Sequence, residues 1–373
     1  MSELVIKTGT LDLNELSRIE LHGIPFGYKY DINTQSNNKE LIILPNPGEI
    51  EDFNKGRNVF SYETLTLLRS KYFFAINHRC QLLEVLYTTF RELFNQEKKD
   101  VNDFLTLQAL YSDMIIRIGT ILEDFAGMCY SCKEYLNKGD DIAQSFLAYS
   151  DPISFYESIV SKKGKRKIKQ IFLLPESKRD LNQIFKDLSE QEINLLWKAV
   201  QQSTDIIADG FKRIGSSIIR KSTDSMTLYD MYNKLKHGFS PIYPFITPMP
   251  IVADAISNDE SVEDVISKYF FENLTIMHDK LPGQRSPEEQ ERYTKEGLAT
   301  AAFTYQDINL ETAKDITELA QDISSIYHHL IKKYLLLAIG NKQMIFFSKD
   351  GNLNEEELER IYSISNDKER YNN

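Results

Sequence analysis

Cysteine is scarce in this sequence and odd in number. Cys80, Cys129 and Cys132 are the only three among 373 residues, and each falls within an apolar helical pattern. A secreted framework of paired disulfides is disfavoured, and a reducing compartment, the cytoplasm, is expected. Cys129 and Cys132 read as CxxC, but no second pair stands at zinc spacing and no βαβ pattern surrounds them, so they are expected in the core. Long hydrophobic runs are also missing. The longest strongly apolar stretch near the C-terminal end, Tyr334 to Ile339, is too short to cross a bilayer, and MSELVIKTGTLDLNELSRIE carries no basic region followed by an apolar one. Neither a membrane span nor a targeting segment is expected.

The common signatures of bound chemistry are absent as well. There is no Walker loop, no GxGxxG, no HExxH and no GxSxG, which leaves NTP hydrolysis, dinucleotide chemistry, zinc proteolysis and hydrolase-elbow chemistry without a motif. His22, His78 and His278 have no ligand-spaced companions, and the adjacent His328 and His329 point in different directions on a helix. No metal and no cofactor is expected. Positive charge is in deficit, 44 Lys and Arg against 55 Asp and Glu, for a net charge of −11. That excludes a protein that coats nucleic acid with its whole surface, because such binding needs a concentrated positive footprint. A local patch remains in SKKGKRKIKQ, residues 161 to 170, where Lys162, Lys163, Lys165, Arg166, Lys167 and Lys169 gather. These are the candidate nucleic-acid contacts; the alternative is a solvated loop between helices.

What the sequence does contain is helical periodicity. The hydrophobic fraction is 42% and the aromatic fraction 11%, ample for a folded core. After a mixed segment, residues 1–59, in which Leu41 to Leu44 reads as a short strand followed by a proline and glycine turn, the apolar period becomes three and four. Leu65, Leu68, Tyr72, Ile76, Cys80, Leu83, Tyr87, Phe90 and Phe94 predict one helix from about residue 62 to 96. Met114, Ile118, Ile121, Phe125, Met128, Cys132 and Leu136 predict a second, and the brief EKKDVND link requires the two to lie antiparallel.

Shorter helices are expected at Pro152 to Val160 and Lys178 to Leu188, and the Ser189 and Glu192 capping box opens a third long helix ending near Arg220. A further helix begins near Ser225 or Thr227. Pro241, Pro244, Pro248 and Pro250 then favour an extended crossing and a soft boundary. Beyond it lie a possible strand at residues 270 to 277, a helix start at Ser286, a last long helix from about Leu310 to Ile339 and a loose tail. The expected fold is mainly α, a helical bundle with long antiparallel helices and minor short strands in its N- and C-terminal parts. Residues 60–245 form the bundle, and 246–373 form a mainly helical region packed on it.

The stretch YDMYNKLKHGFSPIYPF, from residue 229, concentrates polar chemistry. At about 100° per residue, Leu228, Met231, Tyr232 and Leu235 face the core, while Asn233 and His237 neighbour each other on the opposite face with Asp230 and Lys234 beside them. Gly238 suits a helix stop, which places His237 where the helix dipole favours its protonated form. An imidazole to move a proton, an amide to hold it or a phosphate oxygen, and an ammonium to balance anionic charge suit phosphodiester cleavage without a metal. The same residues are also ordinary occupants of a helix C-terminus.

YNKLKHGF, on a helix preceded by long antiparallel helices, resembles the HEPN superfamily. The resemblance spans roughly residues 60 to 245 and implies an RNA-directed, cytoplasmic protein of a toxin, antiphage or RNA-processing system, with a homodimer bringing two sites together. Catalytic members are metal-independent endoribonucleases in which an Arg followed by a polar residue precedes a His. Carried over, Asn233 takes the polar position and His237 the histidine, but Tyr232 stands where Arg is expected. Lys234 or Lys236 could serve as a point charge, without the planar fork of Arg. Arg117, seven residues before Asp124 on the second helix, could reach a shared polar pocket or take part in an internal salt bridge. His237, Asn233, Lys234 and Arg117 are therefore the candidate catalytic residues. The two functions in view are an RNA-directed HEPN-like protein, ribonuclease or degenerate RNA binder, and a noncatalytic helical scaffold with a protein partner.

Overall fold

The computed structural model describes residues 4–7, 28–33, 40–45, 47–72, 76–186, 188–223, 225–237, 261, 272–341 and 347. The proline-rich crossing at residues 241 to 250, the Gly238 stop and the tail after residue 364 lie outside the described residues. The fold is mainly α, as the periodicity predicts. In chain order the elements are β1 (Leu4–Lys7), β2 (Tyr28–Asn33), β3 (Glu40–Pro45), α1 (Pro47–Gly56), α2 (Tyr62–Ser70), α3 (Ile76–Phe94), α4 (Val101–Lys138), α5 (Ile142–Ala148) and α6 (Pro152–Val160). There follow α7 (Gly164–Ile171), α8 (Lys178–Ile184), α9 (Glu190–Ile218), α10 (Leu228–Leu235), β4 (Asn273–Asp279), α11 (Pro287–Glu296), β5 (Ala301–Asp307) and α12 (Leu310–Ala338). β3 lies between β1 and β2 in an antiparallel sheet, and β4 pairs with β5 in an antiparallel ribbon.

The 38-residue α4 is the axis. Asp100 and Asp103 close a capping box at its start, and Gly139, at φ 77°, ends it in the left-handed conformation. α3 runs antiparallel beside it, as the short link requires: Arg79 meets Thr120 and Asp124 at one end, and Phe90 stands 5.8 Å from Tyr111 at the other. α12 runs parallel to α4, with Tyr327 against Asp124 and Tyr334 against the Cys132 carbonyl. α9 closes the far side, where Phe211 stacks on Phe125 at 5.3 Å. Cys129 and Cys132 are buried in this core as free thiols, and burial raises both thiol pKa values. One contiguous core joins residues of α2 to α10 with residues of β4 and α12, so the last long helix is part of the bundle.

Two sequence expectations change. The single helix expected over residues 62 to 96 ends at Ser70, passes through a π-type turn at Lys71 and Tyr72, and resumes as α3 at Ile76. The widened turn carries Lys71 to Asp124, a contact the apolar stripe does not encode. The basic run is a turn only at residues 161–163; from Gly164 it forms α7, whose Ile168 and Ile171 are buried while the cations stay around them.

α7 can start where it does because residue 164 is glycine. A Cβ on Gly164 would stand 1.6 Å from the Ile159 carbonyl oxygen, a backbone atom of α6 with little room to retreat. Gly164→Ala is expected to cost about 3 kcal/mol or more of unfolding free energy, read by urea denaturation. An unchanged midpoint would show that the α6–α7 junction yields without loss.

Candidate functional site

Thr227 caps α10: its hydroxyl accepts the Asp230 N–H at 3.0 Å, and the Asp230 carboxylate accepts the Thr227 N–H in return. Arg220 grips the same carboxylate with Nε at 2.8 Å and Nη2 at 2.6 Å. Burial by itself would raise the Asp230 pKa, but the Arg220 and Thr227 hydrogen bonds outweigh it and hold the carboxyl below its ordinary value. This cap fixes the rotation of α10: Met231, Tyr232 and Leu235 turn inward as the helical wheel predicts, Leu228 is only half-buried, and Tyr229 and Asp230, the latter expected on the opposite face, are buried because they are drawn to Glu123 and Arg220.

Tyr232 is spent on docking α10 to α4. Its ring lies so close to Gly119 that a Cβ there would sit 2.0 Å from the ring carbon Cγ. One turn further along α4, Glu123 takes three donors: Tyr229 Oη at 2.8 Å and Lys236 Nζ at 3.0 Å on Oε1, and Tyr232 Oη at 2.8 Å on Oε2. The Lys236 ammonium also stands 4.5 Å from the centre of the Tyr232 ring. Burial pushes the Glu123 carboxyl pKa up, the three donors push it down by more, and it settles below its ordinary value. Both tyrosine pKa values rise, first through burial and then through the carboxylate they serve.

The expected catalytic residues are divided by this arrangement. Asn233 is half-buried, with its amide close enough to the Tyr229 hydroxyl to influence its ionisation, so it belongs to the edge of the Glu123 network. Lys234 is half-buried in the last turn. His237 follows the helix in a turn, its N–H on the Lys234 carbonyl at 3.2 Å and its ring exposed. Arg117 does not join them. It stands two residues, about 200°, around α4 from Gly119, pairs with Asp113 one turn earlier at 3.3 Å, and keeps a buried Nε without an acceptor among the described residues.

Asp124 takes other partners. Lys71 Nζ donates to its two oxygens at 2.7 and 2.6 Å, Arg79 Nη1 donates at 2.9 Å and Tyr327 Oη at 3.0 Å. The Asp124 side chain is 5% exposed and that of Lys71 11%, so the pair is desolvated and depends on these added hydrogen bonds. Burial lowers the Lys71 pKa, with Asp124 opposing. Sequence reasoning singled out Asp124 but missed Lys71 and Arg79; the only signal for them was a lysine inside the apolar stripe at residues 65 to 76. Beside this cluster opens a cavity of about 490 Å³, lined by Lys71, Arg79, Glu123 and Asp124 with Phe146 and Tyr149.

The basic run is largely answered from within. Lys165 pairs with Asp205 at 2.6 Å, Arg166 with Glu176 at 3.2 Å, Lys167 donates to the Ser158 carbonyl, and the Lys169 ammonium stands 4.5 Å from the centre of the Trp197 ring. Lys162 and Lys163 are exposed. His328 stacks on Tyr72 and His329 on Phe347, while His278 bridges the Asp279 carbonyl and the Thr304 hydroxyl. No group of three or more His, Cys, Asp and Glu side chains among the described residues is arranged to hold a metal ion. No helix among them is long and apolar enough to cross a membrane. Comparison with protein-family models, with curated proteins and with solved structures finds no match for this chain.

Two outcomes follow from the α10 dock. Gly119→Ala should lose about 1–3 kcal/mol of stability through overpacking against Tyr232, and the Gly119→Ala/Tyr232→Ala double variant should lose less than the sum of the two singles; strict additivity would separate the two sites. Glu123 has its folded pKa below its ordinary value of 4.5, so the stability it contributes is present in full above the unfolded pKa and fades as pH falls through the folded one. The urea-denaturation gap between wild type and Glu123→Gln should be widest near neutral pH and close below 4.5. A gap that widens in acid would reverse the sign.

Proposed function

We propose that this chain is a HEPN-like, RNA-directed protein of the degenerate kind, one that holds RNA without cutting it. The observation that carries this reading is the position of Tyr232. Where a cleaving member would present an arginine to phosphate, this chain places a phenol whose ring packs on Gly119 and whose hydroxyl donates to Glu123. A phenol kept protonated beside a carboxylate offers no positive charge to a phosphorane-like transition state. His237 is left exposed at the helix end, with Asn233 drawn toward Tyr229. RNA contacts fall to the exposed Lys162 and Lys163, with Lys165 and Arg166 able to exchange an exposed carboxylate partner for phosphate at modest cost.

A second reading, a noncatalytic scaffold for a protein partner, is favoured by one specific observation: Asp205 and Glu176 already answer Lys165 and Arg166, in a chain of net charge −11. One experiment separates the readings. Labelled single-stranded RNA is incubated with the purified protein in EDTA and followed by gel and by fluorescence anisotropy. The expected result is intact RNA, saturable binding, and an affinity lowered about tenfold or more by Lys162→Glu/Lys163→Glu. Cleavage that disappears in His237→Ala would make the protein a nuclease. Absence of binding, or binding indifferent to the charge reversal, would favour the scaffold.

A further inference from the structure

The 490 Å³ cavity beside Asp124 is lined by two cations, Lys71 and Arg79, and two carboxylates, Glu123 and Asp124. Lys71 and Arg79 both approach one carboxylate, Asp124, which Tyr327 also serves. The other carboxylate in the wall, Glu123, is already answered by Lys236 and two phenols. With Lys236 counted at Glu123, three cations share two carboxylates, and Lys71 and Arg79 share Asp124. The basic cavity along α7, also about 490 Å³, holds three cations against Asp205 and Glu176, but Lys165 and Arg166 pair with those carboxylates and Lys169 lies over the Trp197 ring.

Arg79 is less committed than Lys71. Its Nη1 donates to Asp124 at 2.9 Å and to the Thr120 carbonyl at 3.3 Å. Its Nη2 and Nε have no acceptor among the described residues, and the side chain is 38% exposed at the cavity wall. A guanidinium held by one corner keeps its remaining edge fixed in direction, and that edge matches two oxygens of a phosphate or carboxylate.

Part of the cavity wall is aromatic. Phe146 and Tyr149 crowd onto Gly127, where a Cβ would come within 3.3 Å and 3.1 Å of their rings. The Tyr149 hydroxyl donates to the Asp151 carbonyl at 2.7 Å, which fixes its ring, and the Lys71 ammonium stands 4.7 Å from the centre of the Phe146 ring. The volume lies in the range of pockets that take small organic molecules. We propose that this cavity binds a small molecule carrying one oxyanion, phosphate or carboxylate, and a flat ring. The oxyanion pairs with the free edge of Arg79, and the ring lies along Phe146 and Tyr149. This goes beyond RNA recognition and does not depend on it.

The test is titration calorimetry on the full chain at low ionic strength with four probes: AMP, benzoate, orthophosphate and uncharged adenosine. AMP or benzoate should bind, and which of them does distinguishes a phosphate source from a carboxylate one. Orthophosphate should bind about tenfold or more weakly than the better of the two, and adenosine no better than orthophosphate. Arg79→Gln should weaken the better probe about tenfold or more. Ser150→Trp, at an exposed position on the rim that takes no part in the ion pairs, should block it. Should Arg79→Gln fail to fold, Ser150→Trp decides alone. The proposal is overturned by no binding of AMP or benzoate up to about 10 mM, by adenosine or orthophosphate matching the better probe, or by affinity unchanged in the folded variants.

Discussion

A carboxylate buried in the middle of a long helix sets the terms for this fold. The Asp124 carboxylate is buried on α4 beside Phe125, Met128 and Ile121, where its lone pairs need donors. The donors come from three other places: Lys71 at the π-type turn after α2, Arg79 on α3 and Tyr327 on α12. Each contact pins a different element to the same point on α4. Apolar stripes alone would let these helices slide by a turn at modest cost, because Leu, Ile and Phe recur every three or four residues. The ion cluster fixes the register.

Its neighbour in sequence does the same work on the next face. Glu123 is about 100° around α4 from Asp124, far enough to meet α10, and it collects Tyr229, Tyr232 and Lys236 from that one short helix. α10 has eight residues, too few to hold itself without tertiary contacts. The Thr227 and Asp230 capping box, the Arg220 grip and the Glu123 triple contact supply them. Position 232 is committed to packing against Gly119, and an arginine there would have to displace the ring that holds α10 in place.

Much of this was legible in the residue pattern, and the limits have physical causes. The stripes of α3, α4, α9 and α12 follow from apolar periodicity, and the Ser189 and Glu192 box marks the start of α9 as expected. The inward turn of Tyr232 and the exposure of His237 follow from the helical wheel. The partners of Asp124 do not, because Lys71, Arg79 and Tyr327 lie 53, 45 and 203 positions away, and no local rule links residues at such separations. α7 was misread as a loop because only Ile168 and Ile171 mark its buried side among so many cations. Strand β5, AAFTYQD, shows mixed exposure and an alternation too weak to stand out.

The two carboxylates also bear on what chemistry this region can perform. Both oxygens of Asp124 accept from Lys71, and each takes one further donor, so neither is free to receive a proton from a bound molecule. Glu123 is held charged by three donors and its pKa is lowered, the opposite of what a general acid needs. Tyr229 and Tyr232 are held protonated first by burial and then by the carboxylate they serve, which makes them poor nucleophiles and poor bases. A cluster saturated in this way can orient and neutralise, but it is badly placed to move protons. The groups left with spare capacity are cations at its edge, above all Arg79, and a guanidinium with a free hydrogen-bonding edge is equipped for recognition.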